Sequence, residues 1–97
     1  MFRIEFTPEA VDDLRLLRKH GQQPIIAAIE SQLPDQATDE ARNRKRLRPN
    51  RLSEWELRVG DYRVFCDVVA ETALVKIKAI GYKQGSKLFV HGQEYDL

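Results

Sequence analysis

The sequence predicts a single α+β domain, a two-layer fold in which a helix pair covers one face of an antiparallel sheet. The chain has 97 residues, enough for one modest core and too few for two. Apolar residues recur at helical spacing in the first third, and they alternate with polar residues between positions 55 and 80. Because strands that are apolar on one face must be covered there, the helices are expected to form the second layer and to leave the opposite sheet face free.

The N-terminal segment predicts a strand that leads directly into a helix. Apolar and charged residues alternate from Phe2 to Phe6, which is the period of a half-buried strand. Thr7 can cap the helix that follows, and Pro8 suits its first position. Apolar residues then continue at helical spacing up to Gly21, where the helix is expected to end.

A second helix is predicted between the two prolines that follow. Pro24 can open it, Ile25, Ile29 and Leu33 repeat along one face, and Pro34 is expected to stop it. With a link of about three residues, the two helices should form an antiparallel pair.

The second half of the chain predicts a three-stranded antiparallel meander. Residues 55 to 59 and 62 to 68 alternate on either side of Gly60-Asp61, the composition of a tight hairpin turn. A further turn at 70 to 73 leads into a third strand over residues 74 to 80. The tail from Gly81 onward carries only weak structural signals.

Charge and cysteine content narrow the class of protein. Net charge is +1, but residues 1–41 hold four Lys/Arg against eight Asp/Glu, while residues 42–90 hold twelve against five. Such asymmetry suggests an anionic partner for one surface. Cys66 is the only cysteine, so we expect neither a disulfide nor a zinc site, and we expect no metal and no cofactor. Without a signal peptide or a long apolar run, the expected location is the cytoplasm, away from membranes.

The hairpin register predicts where a functional site would lie. If the turn is Gly60-Asp61, Arg58 faces Arg63 across the strand pair and Glu56 faces Phe65. Two facing arginines repel each other, and a bound anion such as a phosphate would remove that cost. The alternative is that these charged residues only solvate the outer face of a half-exposed sheet, as is common in antiparallel sheets. His20 and His91 stand isolated and indicate no site.

These segments resemble those of a known family. The run from Glu56 to Phe65, Glu-Leu-Arg-Val-Gly-Asp-Tyr-Arg-Val-Phe, and the run from Val75 to Lys83 resemble the C-terminal half of RelE/ParE superfamily toxins, and the Thr7-Pro8 helix start resembles their N-terminal half. The resemblance implies a RelE-like domain that is the toxin of a type II toxin-antitoxin system. For the RelE branch it implies an mRNA interferase, an endoribonuclease that cuts mRNA on the ribosome without a metal and so inhibits translation. It also implies a cognate antitoxin, whose complex with the toxin could bind operator DNA.

The resemblance also suggests roles for individual residues. Arg58 and Arg63 match the strand cations that would clamp phosphate, and Lys83 matches a basic residue that stabilises the transition state or protonates the leaving oxygen. Glu56 stands where the best-studied RelE pattern has a lysine and could serve as the general base. Phe89 stands where that pattern has a tyrosine and could stack a base. The residues expected to contact RNA are Arg44, Lys45, Arg46, Arg48, Arg51, Lys76, Lys78, Phe65 and Phe89.

Two other functions are compatible with the same residues. One is a ParE-like toxin that binds DNA gyrase and cleaves no RNA. The other is a non-catalytic module that holds an antitoxin segment and acts in transcriptional autoregulation. The paired arginines favour RNA, because phosphate groups suit them best.

Overall fold

A computed structural model describes residues 1–96 and contains two α-helices and a seven-stranded sheet in that part of the chain. Neither of those helices is long and apolar enough to cross a membrane. A single 3-10 turn, Ala70–Thr72, separates two of the strands. In chain order the elements are β1 (Arg3–Phe6), α1 (Pro8–Arg15), α2 (Lys19–Gln36), β2 (Arg44–Arg46), β3 (Trp55–Val59), β4 (Tyr62–Val69), β5 (Leu74–Gln84), β6 (Lys87–Val90) and β7 (Gln93–Tyr95).

The sheet is built around its longest strand, β5. Strands β2 to β7 lie side by side in sequence order with antiparallel neighbours. The predicted meander of β3, β4 and β5 is therefore confirmed. On its other edge β5 pairs twice: β1 runs parallel to Leu74–Ile77, and β6 runs antiparallel to Tyr82–Gln84. The tail with weak signals supplies β6 and β7. Residues 42–51, which hold six Lys or Arg and which we call the basic stretch, supply β2.

The side chains of Thr7, which caps α1, and Asp13, in its last turn, close the gap that β1 and β6 leave along β5. The Thr7 hydroxyl donates to the carbonyl of Lys78 at 3.2 Å, and it accepts from the Ala10 amide at 3.1 Å as the predicted N-cap. The Ile80 amide donates to Oδ2 of buried Asp13 at 3.0 Å. These bonds satisfy backbone groups that no strand reaches, and they fix α1 against β5.

The helix boundaries differ from those predicted. Helix α1 ends at Arg15, while α2 begins at Lys19, contains Gly21 and Pro24, and continues past Pro34. Gly21 is a point of close contact: a Cβ there would lie 2.5 Å from the Tyr62 hydroxyl oxygen. Its missing side chain therefore serves tertiary packing and does not mark a helix end.

The main core lies between the helices and the sheet. Ile25, Ile29 and Leu33 of α2 are buried in one cluster with Leu57 and Val64 of the central strands. Trp55 belongs to this cluster, as the alternation predicts, and Tyr62 packs against it. The two-layer arrangement follows from this burial.

A second apolar cluster covers part of the opposite sheet face, which had been expected to be free. Phe65 is fully buried there with Leu52, Ala79, Leu88 and Val90. The prediction that Phe65 is exposed is wrong, because the loop before β3 and the strand β6 bring apolar side chains over it. Its position on the polar face by alternation is correct, but that position is covered.

The single cysteine lies in a site that disfavours its charged form. Burial raises the pKa of the Cys66 thiol to about 12, and the nearby Asp67 and Glu54 carboxylates add to the effect. In the unfolded chain the thiol has its ordinary pKa of 9.0, so it loses its proton at a lower pH than the native thiol does. The thiol therefore contributes stability that is fully present below pH 9 and is lost as the pH rises from there to about 12.

We expect the wild-type protein to lose more stability in alkali than a Cys66→Ala variant. Between pH 10 and pH 11 the difference in unfolding free energy should change by about 1.4 kcal/mol, because only the unfolded wild-type chain releases the thiol proton. Urea denaturation of both proteins at the two pH values measures this difference. Parallel pH dependences would contradict a protonated native thiol.

Candidate functional site

The predicted catalytic residues lie on the sheet face opposite the helices, which we call the distal face. Across β3, β4 and β5 the register aligns Arg58 with Arg63 and Arg63 with Gly81. The next row aligns Glu56 with Phe65. The register predicted from the Gly60-Asp61 turn is therefore confirmed, and both arginines lie close to Glu56.

The guanidinium group of Arg63 is fixed by contacts with other residues of the chain. Its Nε lies 3.2 Å from Oε1 of Glu56, and both side chains are nearly buried. Its Nη1 donates to the carbonyls of Gly60 at 2.8 Å and Tyr62 at 2.9 Å. Repulsion between Arg58 and Arg63 is thus offset by Glu56, whereas the sequence had suggested that a bound anion is needed.

The ion pair leaves one donor of Arg63 without a hydrogen bond. Despite its proximity to Glu56, the buried Nε finds no hydrogen-bond partner among residues 1–96. The two observations differ because an ion pair requires only proximity, whereas a hydrogen bond also requires alignment. A buried donor without an acceptor costs free energy, and the negative charge of Glu56 at 3.2 Å offsets part of that cost.

Arg58 and Lys83 are the other two predicted catalytic residues. The Arg58 side chain is exposed, and the Arg58 backbone amide donates to the carbonyl of Asn43 at 2.7 Å. Lys83 is half-buried two residues beyond Gly81, so strand alternation puts it on the distal face as well. Its amide donates to the carbonyl of Asp61 at 2.8 Å, which ties β5 to the hairpin turn.

Strand β2 divides the first cations of the basic stretch between the two faces. Lys45 is exposed and pairs in register with Glu56, which puts it on the distal face. Arg44 is buried and donates to the side chain of Gln32 and to the carbonyl of Asp39, at 3.0 Å for the latter. Arg44 therefore has a structural role, which contradicts its predicted contact with RNA. The guanidinium of Arg46 lies 5.7 Å from the centre of the Trp55 ring, on the helix side of the strand.

The rest of the basic stretch borders a cleft of about 410 Å³ beside the distal face. Arg48 and Arg51 are exposed on one side of this cleft, and Lys78 and Asp67 lie on the other. Asp67 accepts a hydrogen bond from the Glu54 amide at 2.8 Å, so its carboxylate is partly engaged. The cleft is cationic overall, because four of its lining residues are Lys or Arg and two are Asp or Glu. Lys76 adds a further cation next to it, opposite Asp67 in register.

Neither of the two predicted stacking residues lies exposed on the distal face. Phe65 is fully buried. Phe89 pairs in register with Tyr82, which in turn pairs with Tyr62 of the helix side. The Phe89 and Tyr82 rings stack there, with centroids 5.3 Å apart and planes inclined by 20°. The aromatic surface and the cationic surface are thus on opposite sides of β5.

His91, which looked isolated in the sequence, has a partner. Its Nδ1 lies 2.9 Å from Oδ1 of Asp13, the same carboxylate that accepts the Ile80 amide. The contact joins positions 78 apart, so no local pattern could reveal it. It connects α1 with the turn between β6 and β7. In residues 1–96, no group of three or more His, Cys, Asp or Glu side chains is arranged to hold a metal ion.

A helix pair on one face of a largely antiparallel sheet, with clustered cations on the other face, is the architecture of a RelE-like toxin. Residues 4–85 match the family model described as the ParE toxin of the type II toxin-antitoxin system parDE. The chain belongs to this family, within the RelE/ParE superfamily, and is the toxin of a type II toxin-antitoxin system. The resemblance seen in the sequence is thereby confirmed.

Solved structures support the fold. The chain is similar to a chain of the toxin-antitoxin complex RelBE2 from Mycobacterium tuberculosis, with a TM-score of 0.70 and 22% identity over 84% of this chain and 91% of the other. It is also similar to a chain of the archaeal RelE-RelB complex from Pyrococcus horikoshii OT3, with a TM-score of 0.67 and 20% identity over 87% and 96%. No curated protein matches the sequence.

Proposed function

We propose that this toxin is an endoribonuclease that cleaves mRNA on its distal face. The observation that carries the proposal is the contact between Arg63 and Glu56, with Arg58 exposed beside it. A carboxylate that is oriented by a buried arginine and flanked by a cation has the components of a base next to a phosphate site. Lys83 of the neighbouring strand completes the group.

In the proposed reaction the RNA supplies its own nucleophile. The ribose 2′-oxygen attacks the adjacent phosphorus, Glu56 accepts the 2′-hydroxyl proton, and the bond to the 5′-oxygen of the next nucleotide breaks. Lys83 donates a proton to that leaving oxygen, so the products are a 2′,3′-cyclic phosphate and a free 5′-hydroxyl. Arg58, together with the positive charge of the neighbouring Arg63, stabilises the negative charge that develops on the phosphate oxygens.

The flanking nucleotides have a cationic surface on which to lie. Lys45 extends the site on one side of Glu56, and the cleft bordered by Arg48, Arg51 and Lys78 extends it along β4 and β5. A surface with several cations side by side favours the binding of a single-stranded phosphate backbone. We assign mRNA on the ribosome as the substrate, in line with the RelE-like resemblance.

The antitoxin is proposed to neutralise the toxin by covering the same surface. One structural relative is described as a toxin-antitoxin complex and the other as a RelE-RelB complex. An antitoxin segment with acidic side chains would pair with the cations of the distal face and exclude RNA. Binding of operator DNA is assigned to the complex of the two proteins.

The experiment that tests this function compares wild type with Arg58→Ala. We expect wild-type induction to arrest growth and to produce new 5′ ends on cellular mRNA within minutes, mapped by primer extension. Arg58→Ala should reduce the cuts at least about tenfold, because it removes the exposed phosphate cation. Arg15→Ala, which removes an exposed cation at the end of α1, is the matched control and should behave as wild type.

A second candidate is a toxin that inhibits DNA gyrase and cleaves no RNA. Two observations favour it: Glu56 neutralises Arg63, and both predicted stacking residues are absent from the exposed distal face. Growth arrest without new RNA ends would support this candidate. The absence of any arrest would instead support a non-catalytic module that binds its antitoxin.

A further inference from the structure

A second concave surface lies at the end of the β3–β4 hairpin, on the helix side of the sheet. It is an open groove of about 630 Å³, whose walls include Leu17, Pro24, Tyr62 and Tyr82. Tyr82 is unusual among the large apolar side chains because 40% of it is exposed. One side of its ring is already occupied by Phe89, in a near-parallel stack. We call this surface the Tyr82 groove.

We propose that the Tyr82 groove binds one nucleobase of the RNA, stacked on the exposed side of Tyr82. This inference rests on the proposed action on RNA, and it adds a base-binding subsite outside the catalytic group. Aromatic side chains that present a ring face to solvent are the usual stacking platforms for unpaired bases. The ring pair of Tyr82 and Phe89 is held by strand pairing in β5 and β6, so the platform is preorganised.

Charge selects a nucleotide over an apolar peptide as the occupant. The groove walls also contain Lys83, next to Tyr82 in the chain, and the exposed Asp61. An apolar peptide would offer no anionic partner to Lys83, which lines the groove where it borders the distal face. A nucleotide brings a flat apolar ring for Tyr82 and a phosphate for Lys83. Because alternation directs Lys83 towards the distal face, the phosphate can continue into the catalytic group.

The polar walls also indicate which bases fit. Asp61 offers a carboxylate acceptor, and Gln84 offers both an acceptor and a donor. A carboxylate accepts hydrogen bonds from the exocyclic amines of adenine, cytosine and guanine and from the ring N–H of uracil. The Asp61 carboxylate can therefore bind the donor edge of any of the four bases.

The test measures binding separately from cleavage. A short single-stranded RNA with 2′-O-methyl sugars cannot be cut through its 2′-oxygen, and one 2-aminopurine in it reports stacking through fluorescence quenching. We expect wild type to quench the probe and Tyr82→Ala to bind it about tenfold more weakly, with the quenching lost. Tyr82→Trp should retain both, while Leu16→Ala, which truncates an apolar side chain that is 84% exposed on α1, should leave both unchanged.

Each outcome decides the proposal. Equal affinity and equal quenching for wild type and Tyr82→Ala would overturn it, as would the absence of RNA binding by wild type. A loss of affinity for the antitoxin alone would assign the groove to a protein partner and overturn it too. If wild type binds and quenches through Tyr82 but never cuts cellular RNA, cleavage fails and the base subsite stands. Unfolding curves for every variant keep folding defects apart from binding defects.

Discussion

Replacing Phe65 with alanine is expected to lower the free energy of unfolding by about 3–5 kcal/mol. The Phe65 ring is fully buried in the second apolar cluster, against Leu52 of the preceding loop and Leu88 of β6. Its removal leaves a cavity that backbone strands on both sides cannot easily fill. Since small domains have only about 5–15 kcal/mol of stability, the loss is a large share of the total. Urea denaturation followed by circular dichroism measures it.

The control for this prediction is Leu16→Ala. Leu16 is almost fully exposed, and its truncation should change the unfolding free energy by less than about 0.5 kcal/mol. A loss below about 1 kcal/mol for Phe65→Ala would mean that the loop and β6 do not pack on this ring in solution. The distal face would then be open, as the sequence alone had suggested.

Replacing Glu56 with glutamine is expected to reduce RNA cleavage by about 10²- to 10⁴-fold. Glutamine has nearly the same shape and can keep an oxygen beside the Nε of Arg63, as Glu56 does, but an amide cannot take up the 2′-hydroxyl proton. RNA affinity should not fall, because the change removes a negative charge from a surface that faces phosphates. Single-turnover cleavage of a labelled RNA, with affinity measured separately, distinguishes the two effects.

Glu54→Gln is the matched control for Glu56→Gln. Glu54 is an exposed carboxylate beside Asp67, one row away from the ion pair with Arg63. Its replacement should leave the cleavage rate within about twofold of wild type, as expected for a surface substitution. If both glutamine variants cleave at the wild-type rate, Glu56 only holds Arg63 in position. If Glu56→Gln unfolds more readily by several kcal/mol, the ion pair is chiefly structural, and this is checked first by denaturation.

The hairpin at the centre of the site could be predicted because its determinants are local. Gly60 adopts a φ of +59°, a conformation that glycine tolerates, and this fixes the turn on which the register depends. From that register the opposition of Arg58 and Arg63 follows by counting. The strands β3, β4 and β5 and the burial of Trp55 were predictable for the same reason.

The errors arose where distant parts of the chain meet. Gly21 reads as a helix end, but its packing against Tyr62 keeps it inside α2. In the sequence, Arg44 is one of six cations in the basic stretch and was expected to contact RNA. In the structure its guanidinium donates to the side chain of Gln32 in α2. Contacts of this kind depend on tertiary neighbours, which propensity and periodicity do not contain. The pairing of His91 with Asp13 belongs to the same group.

The pairing of β1 with β5 has a consequence for how the protein is made. The only strand partner of Arg3–Phe6 within residues 1–96 is Leu74–Ile77. The Asp13 carboxylate contacts His91, which lies 78 positions further along the chain. During synthesis from the N-terminus, β1 and α1 therefore emerge long before the strand that holds them. The pairing of β1 with β5 can therefore form only after residues 74–77 have left the ribosome, so the first strand remains unpaired while about seventy further residues are made.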